Sequence, residues 1–259
     1  MRLIRCEYDG KVYHGRIEKD EVILFEYFPQ IEMKDGQKRI LLAEEKGRVP
    51  LSVVHLKAPC VPGKAVCVGL NYRDHAKEFG LAIPASPVLF IKPSTSLLDP
   101  DEKILYPSIS SRVDYEAELV AVIGAKARNI EKKDALNYIL GYTCGNDVTA
   151  RDLQPKDGQW TVAKSFDTFM PLGPWIETEL DPSNLRIQAI LNGEVRQLSS
   201  TENLIFNVAD LVAYVSQIMT LEPGDVIMTG TPSGVGPMQK GDRIAIEIQG
   251  IGRLENIVA

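Results

Sequence analysis

Short β-rich runs closed by turn pairs recur along the chain, and this punctuation constrains the fold more than any other sequence feature. RLIRCEY, KVYHGRIE and EVILFEY are separated by Asp9-Gly10 and Lys19-Asp20. KAVCVGLNY, VLFIKP and YEAELVAVIG read as apolar strands. LRIQAILNGEVRQ reads as a hairpin, because Asn192-Gly193 suits the positive dihedral angles of a type I′ turn. The turn EPGD, the strand VIMTG, the turn KGD and the alternating strand RIAIEIQGIG follow. Helical patterns are fewer. NVADLVAYVSQIMT places Val208, Leu211, Val212, Val215, Ile218 and Met219 at helical spacing behind an N-cap at Asn207. KKDALNYILG reads as a helix closed by Gly141, NYRDHAKEFG as a short helix ended by Gly80, and LLAEE as a short helix within a polar stretch from about Gln30 to Gly47.

Strands and helices do not alternate in the βαβ rhythm of a doubly wound fold, so the expected class is α+β, mainly β. Pro50, Pro59, Pro62 and Gly63 mark a boundary near residue 57. The expected organisation is a small β-rich N-terminal domain, residues 1–56, ahead of a larger domain, residues 57–259.

Composition narrows the function classes. With 259 residues, 44% hydrophobic and 25% charged, the chain is globular rather than disordered. Lys+Arg of 29 against Asp+Glu of 35 leaves a net charge of −6 and no basic block, which argues against a nucleic-acid partner. No apolar run is long enough to span a membrane, and MRLIRCEYDG lacks the apolar core of a signal peptide, so a cytoplasmic protein with no membrane partner is expected. Cys6, Cys60, Cys67 and Cys144 lack the close spacing of a zinc site and read as reduced, mostly buried thiols. His14, His55 and His75 are scattered, so any metal should be held by oxygen.

Several residues could carry chemistry. Glu116 and Glu118 are two apart in an apolar strand and so share a face, where two buried like charges need a cation or a proton; an exposed edge face would tolerate them as they stand. Asp147, in GYTCGNDVTARD, would complete a hard three-carboxylate site for Mg²⁺ or Mn²⁺, with Ca²⁺ also compatible, or else serve as a turn or helix-cap aspartate. His75 and Glu78 are three apart, the spacing of a carboxylate-oriented general base and equally of a solvated helix pair. Arg151, Gln154 and Lys164 could clamp a substrate carboxylate and a developing oxyanion, or be ordinary polar loop residues. TGTPSGVG could cradle an anion but lacks the order of a P-loop or a Rossmann turn, and Ser233 is not in a nucleophile elbow.

In combination, VGLNYRDHAKE, LFIKPSTSL, DYEAELVAVIG, GYTCGNDVTARDLQ, KSFDTFMPLGPWI, LNGEVRQ and MTGTPSGVGP resemble the fumarylacetoacetate hydrolase family, in uninterrupted order over roughly residues 64 to 258. The resemblance implies a mixed β-sandwich roll preceded by a small N-terminal domain, a homodimer, and Mg²⁺ or Mn²⁺ held by Glu116, Glu118 and Asp147. It implies water activation by His75 with Glu78 in a lid segment, and substrate contacts from Arg151, Gln154, Lys164 and Thr231. The implied substrate is a 2-oxo or 2,4-dioxo acid, and the implied reaction is hydrolysis of a C–C bond to pyruvate and a carboxylic acid. The alternatives within the family are isomerisation of 2-hydroxyhepta-2,4-diene-1,7-dioate and decarboxylation of an oxaloacetate-like acid. A non-catalytic binder of dioxo acids is the reading from another class, and the paired His75 and Glu78 argue against it.

Overall fold

The computed structural model describes residues 1–34, 37–74, 83–155 and 158–259. The fold is mainly β with few helices, as the turn-punctuated sequence requires. Its largest unit is a twelve-stranded mixed sheet. Near its centre, Ala117–Ile123 runs antiparallel to Ile139–Asn146 on one side and to Val226–Met228 on the other. Val226–Met228 then pairs in parallel with Ala65–Gly69, which pairs antiparallel with Val88–Lys92.

Every residue of Ala117–Ile123 is buried, and strand alternation between two covered faces explains why the run is apolar on both apart from Glu118. Leu119, Ala121 and Ile123 belong to one core, Val120 and Val122 to another. The first core is closed by a second sheet and by the helix Val208–Ile218. In spatial order that sheet is Lys103–Ile104, Gly252–Val258, Arg243–Ile248, Arg186–Leu191 and Glu194–Ser200. The two sheets pack as a sandwich. Thr149–Ala150, Val113–Tyr115 and Gly236–Met238 form a small third sheet, whose middle strand Val113–Tyr115 leads into the central strand.

The N-terminal meander forms as expected, with Asp9, Gly10 and Lys19 at positive φ in its turns. Its strand Arg2–Tyr8 also pairs with Met170–Glu177, through Arg2 opposite Glu177 and Leu3 opposite Ile176, and so continues the large sheet. Leu3, Phe25 and Ile31 share a core with Val120, Leu140 and Met170. The Asn192-Gly193 hairpin and the Asn207 capping box with Asp210 are both present.

Two local expectations change. LLAEE is extended: Leu41 ends the strand Gln37–Leu41, and Glu45 begins Glu45–Pro50, which pairs with Glu21–Phe25. KKDALNYILG forms a 3₁₀ helix over Lys132–Tyr138 only. Ile139 then enters the large sheet and Gly141 lies inside a strand, because sheet pairing outweighs the local helical preference. In NYRDHAKEFG, Arg73 and Asp74 are helical, and the segment from His75 on, Gly80 included, lies outside the described residues. All four cysteines are buried and free. Among the described residues no helix is long and apolar enough to cross a membrane.

Candidate metal centre and active site

Glu116 is not inside the central strand. It occupies the join between Val113–Tyr115 and Ala117–Ile123, which belong to different sheets. Two side chains hold that join open: Glu116 N donates to Asn146 Oδ1 and Ala117 N to Gln197 Oε1, both at 2.9 Å. Asp147 follows directly on the neighbouring strand Ile139–Asn146, and its N–H donates to Glu116 O at 2.9 Å. The three acids therefore arrive from a strand break, a strand and a strand end. One oxygen from each of Glu116, Glu118 and Asp147 lies within 4.8 Å of the others. All three are buried, at 5%, 1% and 1% exposure, which disposes of the exposed edge face.

Cations surround two of the three. Lys164, at the end of the helical turn Thr161–Lys164, donates from Nζ to Glu116 Oε2 at 2.9 Å and to Asp147 Oδ2 at 2.6 Å. Lys92, fully buried at the end of Val88–Lys92, donates to Asp147 Oδ1 and to Val148 O. Arg151 reaches Glu116 Oε1 with Nη2, Asp114 Oδ2 with Nε at 2.8 Å and Gln154 Oε1 with Nη1 at 2.6 Å. Glu118 differs. Its Oε2 accepts the Gly230 N–H at 2.9 Å, and it has no ion pair among the described residues.

The electrostatics follow from these partners. Burial pushes the Glu118 carboxyl well above the usual carboxylate range, and the charges of Asp147 and Glu116 push the same way. Burial acts likewise on Glu116, but Lys164 and Arg151 outweigh it and hold that carboxyl low. Burial disfavours the Lys164 ammonium, yet Asp147 and Glu116 keep its pKa above the ordinary lysine value. Three oxygen donors suit Mg²⁺, Mn²⁺ or Ca²⁺, and the charge on Glu118, unmatched by a cation of its own, is what a divalent ion would neutralise.

The structure thus brings Glu116, Glu118, Asp147, Lys164 and Arg151 together, with Gln154 on the outer side of Arg151. Thr231, buried, is one residue from the Gly230 N–H that holds Glu118. His75 and Glu78 lie outside the described residues. Lys92, Asn146, Asn71 and Gln197 escaped the sequence reading. Lys92 left no distinctive signal, because it closes a strand whose other residues are half-buried or exposed. Asn146 Nδ2 is buried beside Glu116 with no hydrogen-bond partner among the described residues, so a donor remains there. Asn71, also buried, donates to Thr229 O at 2.7 Å and to Phe206 O at 3.0 Å, anchoring the loop that carries Gly230.

The model of the fumarylacetoacetate (FAA) hydrolase C-terminal family matches residues 64–259. The chain belongs to this family. It is 43% identical to the rat mitochondrial oxaloacetate tautomerase Fahd2a over 85% of this chain and 74% of that one. It is similar to the crystal structure of 5-carboxymethyl-2-hydroxymuconate delta-isomerase from Mycobacterium smegmatis, with a TM-score of 0.89 and 42% identity over 100% of this chain and 99% of that one. It is also similar to fumarylpyruvate hydrolase from Pseudomonas aeruginosa in complex with Mn²⁺ and pyruvate, with a TM-score of 0.71 and 35% identity over 79% and 91% of the two chains. Family members are enzymes, with hydrolases, isomerases and tautomerases among them.

Proposed function

We propose that the protein is a divalent-metal-dependent enzyme that moves a proton at the carbon beside the 2-keto group of a 2-oxo dicarboxylic acid, as a tautomerase or isomerase. The observation that carries this reading is the Lys164 ammonium, buried and in contact with two of the three clustered carboxylates. A Mg²⁺ or Mn²⁺ held by Glu116, Glu118 and Asp147 would supply Lewis acidity for the developing enolate oxygen. Lys164 Nζ is then the protein group that holds the mobile proton beside it. Arg151 supplies a planar guanidinium for a substrate carboxylate, and Gln154 orients it through Nη1. The tautomerase and isomerase relatives are 43% and 42% identical, the hydrolase 35%.

Hydrolysis of a C–C bond in a 2,4-dioxo acid is the second reading. His75 and Glu78 favour it, as the spacing of a water-activating pair, and so does the Mn²⁺–pyruvate complex of the hydrolase neighbour. Chelator-stripped protein, with and without Mg²⁺ or Mn²⁺, is given enol-oxaloacetate, 2-hydroxyhepta-2,4-diene-1,7-dioate, fumarylpyruvate and acetylpyruvate, and products are followed by NMR and mass. Metal-dependent loss of the enol or a shifted double bond, at unchanged mass, supports proton transfer. Pyruvate with the matching acid replaces it with hydrolysis, and release of CO₂ with decarboxylation. Saturable binding without turnover leaves the non-catalytic binder.

A further inference from the structure

The LNGEVRQ hairpin ends in a buried glutamine that the proposed reaction does not use. Across this hairpin Ile190 pairs with Val195 and Ala189 with Gln197, so Arg196 is an extra residue. Such a bulge shifts the phase of a strand and re-aims the side chain that follows. Here Glu194, Val195 and Arg196 are all exposed, and Gln197 turns inward to 1% exposure.

The amide of Gln197 makes three contacts. Oε1 accepts the Ala117 N–H at 2.9 Å, and Nε2 donates to Pro232 O at 2.8 Å and to Thr231 Oγ1 at 2.9 Å. A backbone N–H can only donate and a proline carbonyl can only accept, so these two partners fix which end of the amide is which. The polarity of the third contact follows: Thr231 Oγ1 must accept. A hydroxyl has one proton, and that of Thr231 has no acceptor among the described residues. The loop is also held on both sides. Gly234, at φ +92°, lies against Arg196 O where a Cβ would collide, and Tyr115 OH donates to Gly234 O at 3.0 Å. One residue before Thr231, Gly230 N–H holds Glu118.

We propose that Gln197 is a positioning residue that fixes Thr231 as a hydrogen-bond donor, so that its hydroxyl presents its proton to an oxygen of the bound 2-oxo acid. This rests on the reading of the site as a metal-dependent 2-oxo acid centre. Gln197 also bonds the backbone between Glu116 and Glu118, so the donor and the carboxylates are referenced to one amide.

The test titrates oxalate calorimetrically into the Mn²⁺-loaded full chain and measures KM and kcat on the active substrate. Gln197→Met, Thr231→Val and the double variant form the cycle, and Thr231→Ser serves as the conservative rescue. Each of Gln197→Met and Thr231→Val should weaken oxalate binding and raise KM about tenfold to hundredfold, with a smaller change in kcat. The double variant should bind no more weakly than Thr231→Val alone, and Thr231→Ser should bind like the unaltered protein. Additive losses, or Gln197→Met binding oxalate normally, would overturn the proposal. If Gln197→Met gives no cooperative melt, Gln197→Glu decides. Its carboxylate keeps the Ala117 bond and captures the Thr231 proton, so it should weaken binding only when Thr231 is present. Unaltered protein that neither binds oxalate nor turns over a 2-oxo acid removes the reading of the site itself; normal turnover with indifferent Gln197 variants removes only the proposal.

Discussion

At the scale of the residue, Glu118 decides how the site behaves with and without metal. Its charge is buried beside two other carboxylates, and one backbone N–H is its hydrogen-bond partner. Glu118→Gln keeps an oxygen for Gly230 while deleting the charge. Mn²⁺ affinity, read by calorimetry, should fall by at least about tenfold. Stability of the metal-free protein should move the other way. A carboxyl whose folded pKa is raised contributes stability that is full below its unfolded pKa and lost as pH rises through the folded value. In chelator, the unaltered protein should therefore lose stability relative to Glu118→Gln as pH climbs above 4.5, in thermal melts across that range. Saturating Mn²⁺ should reverse the order of the two proteins. Glu116 and Glu118 stood out as candidates because paired carboxylates inside apolar sequence are costly unless compensated, and Asp147 was joined to them by the family resemblance. Lys92 did not stand out, because a single lysine at a strand end looks the same whether it meets water or Asp147.

At the scale of the element, glycine and histidine positions show how pairing partners set meaning. Gly141 resembles a helix stop in sequence. In the sheet it lies against Glu177 O, where a Cβ would collide with backbone. Gly141→Ala should cost about 1–3 kcal/mol in urea unfolding. Gly193→Ala, in open space at φ +84°, should cost only about 1–2 kcal/mol and leave metal binding unchanged. In the N-terminal meander, His14 sits opposite Arg5 with a buried Nδ1 that has no partner among the described residues, and its ring is edge-on to Phe28. Burial first, and Arg5 second, lower its pKa to about 4. A lowered pKa means stability that is present above the unfolded value of 6.5 and lost as pH falls through about 4. Melting temperature should drop across that window, and His14→Gln should flatten the drop.

At the scale of the whole molecule, the N-terminal meander and the family fold share a sheet and a core. The strand Met170–Glu177 is flanked by Arg2–Tyr8 on one side and on the other by Ile139–Asn146, the strand that leads into Asp147. A fragment of residues 57–259 would bare that edge and the apolar surface under Leu3, Phe25 and Ile31. It should aggregate in light scattering, whereas the full chain should melt in one calorimetric transition. A monodisperse fragment that still binds Mn²⁺ would show that the sheet closes without the meander.

The sequence by itself determined what depends on neighbours along the chain. Turn pairs, the Asn207 cap, the Asn192-Gly193 hairpin and the apolar run around Glu118 rest on local sterics or on the cost of burying charge, and the three acids were brought together by the family resemblance. Tertiary structure alone decided what depends on partners far away. It placed Glu116 at a junction between two sheets, set Lys92 on Asp147, turned a would-be helix stop at Gly141 into the middle of a strand, and brought Gln197 from a distant hairpin to Ala117 and Thr231. Each of those outcomes rests on hydrogen bonds or ion pairs closed between distant segments, and no local pattern carries the energy of a contact that exists only once both sides are folded.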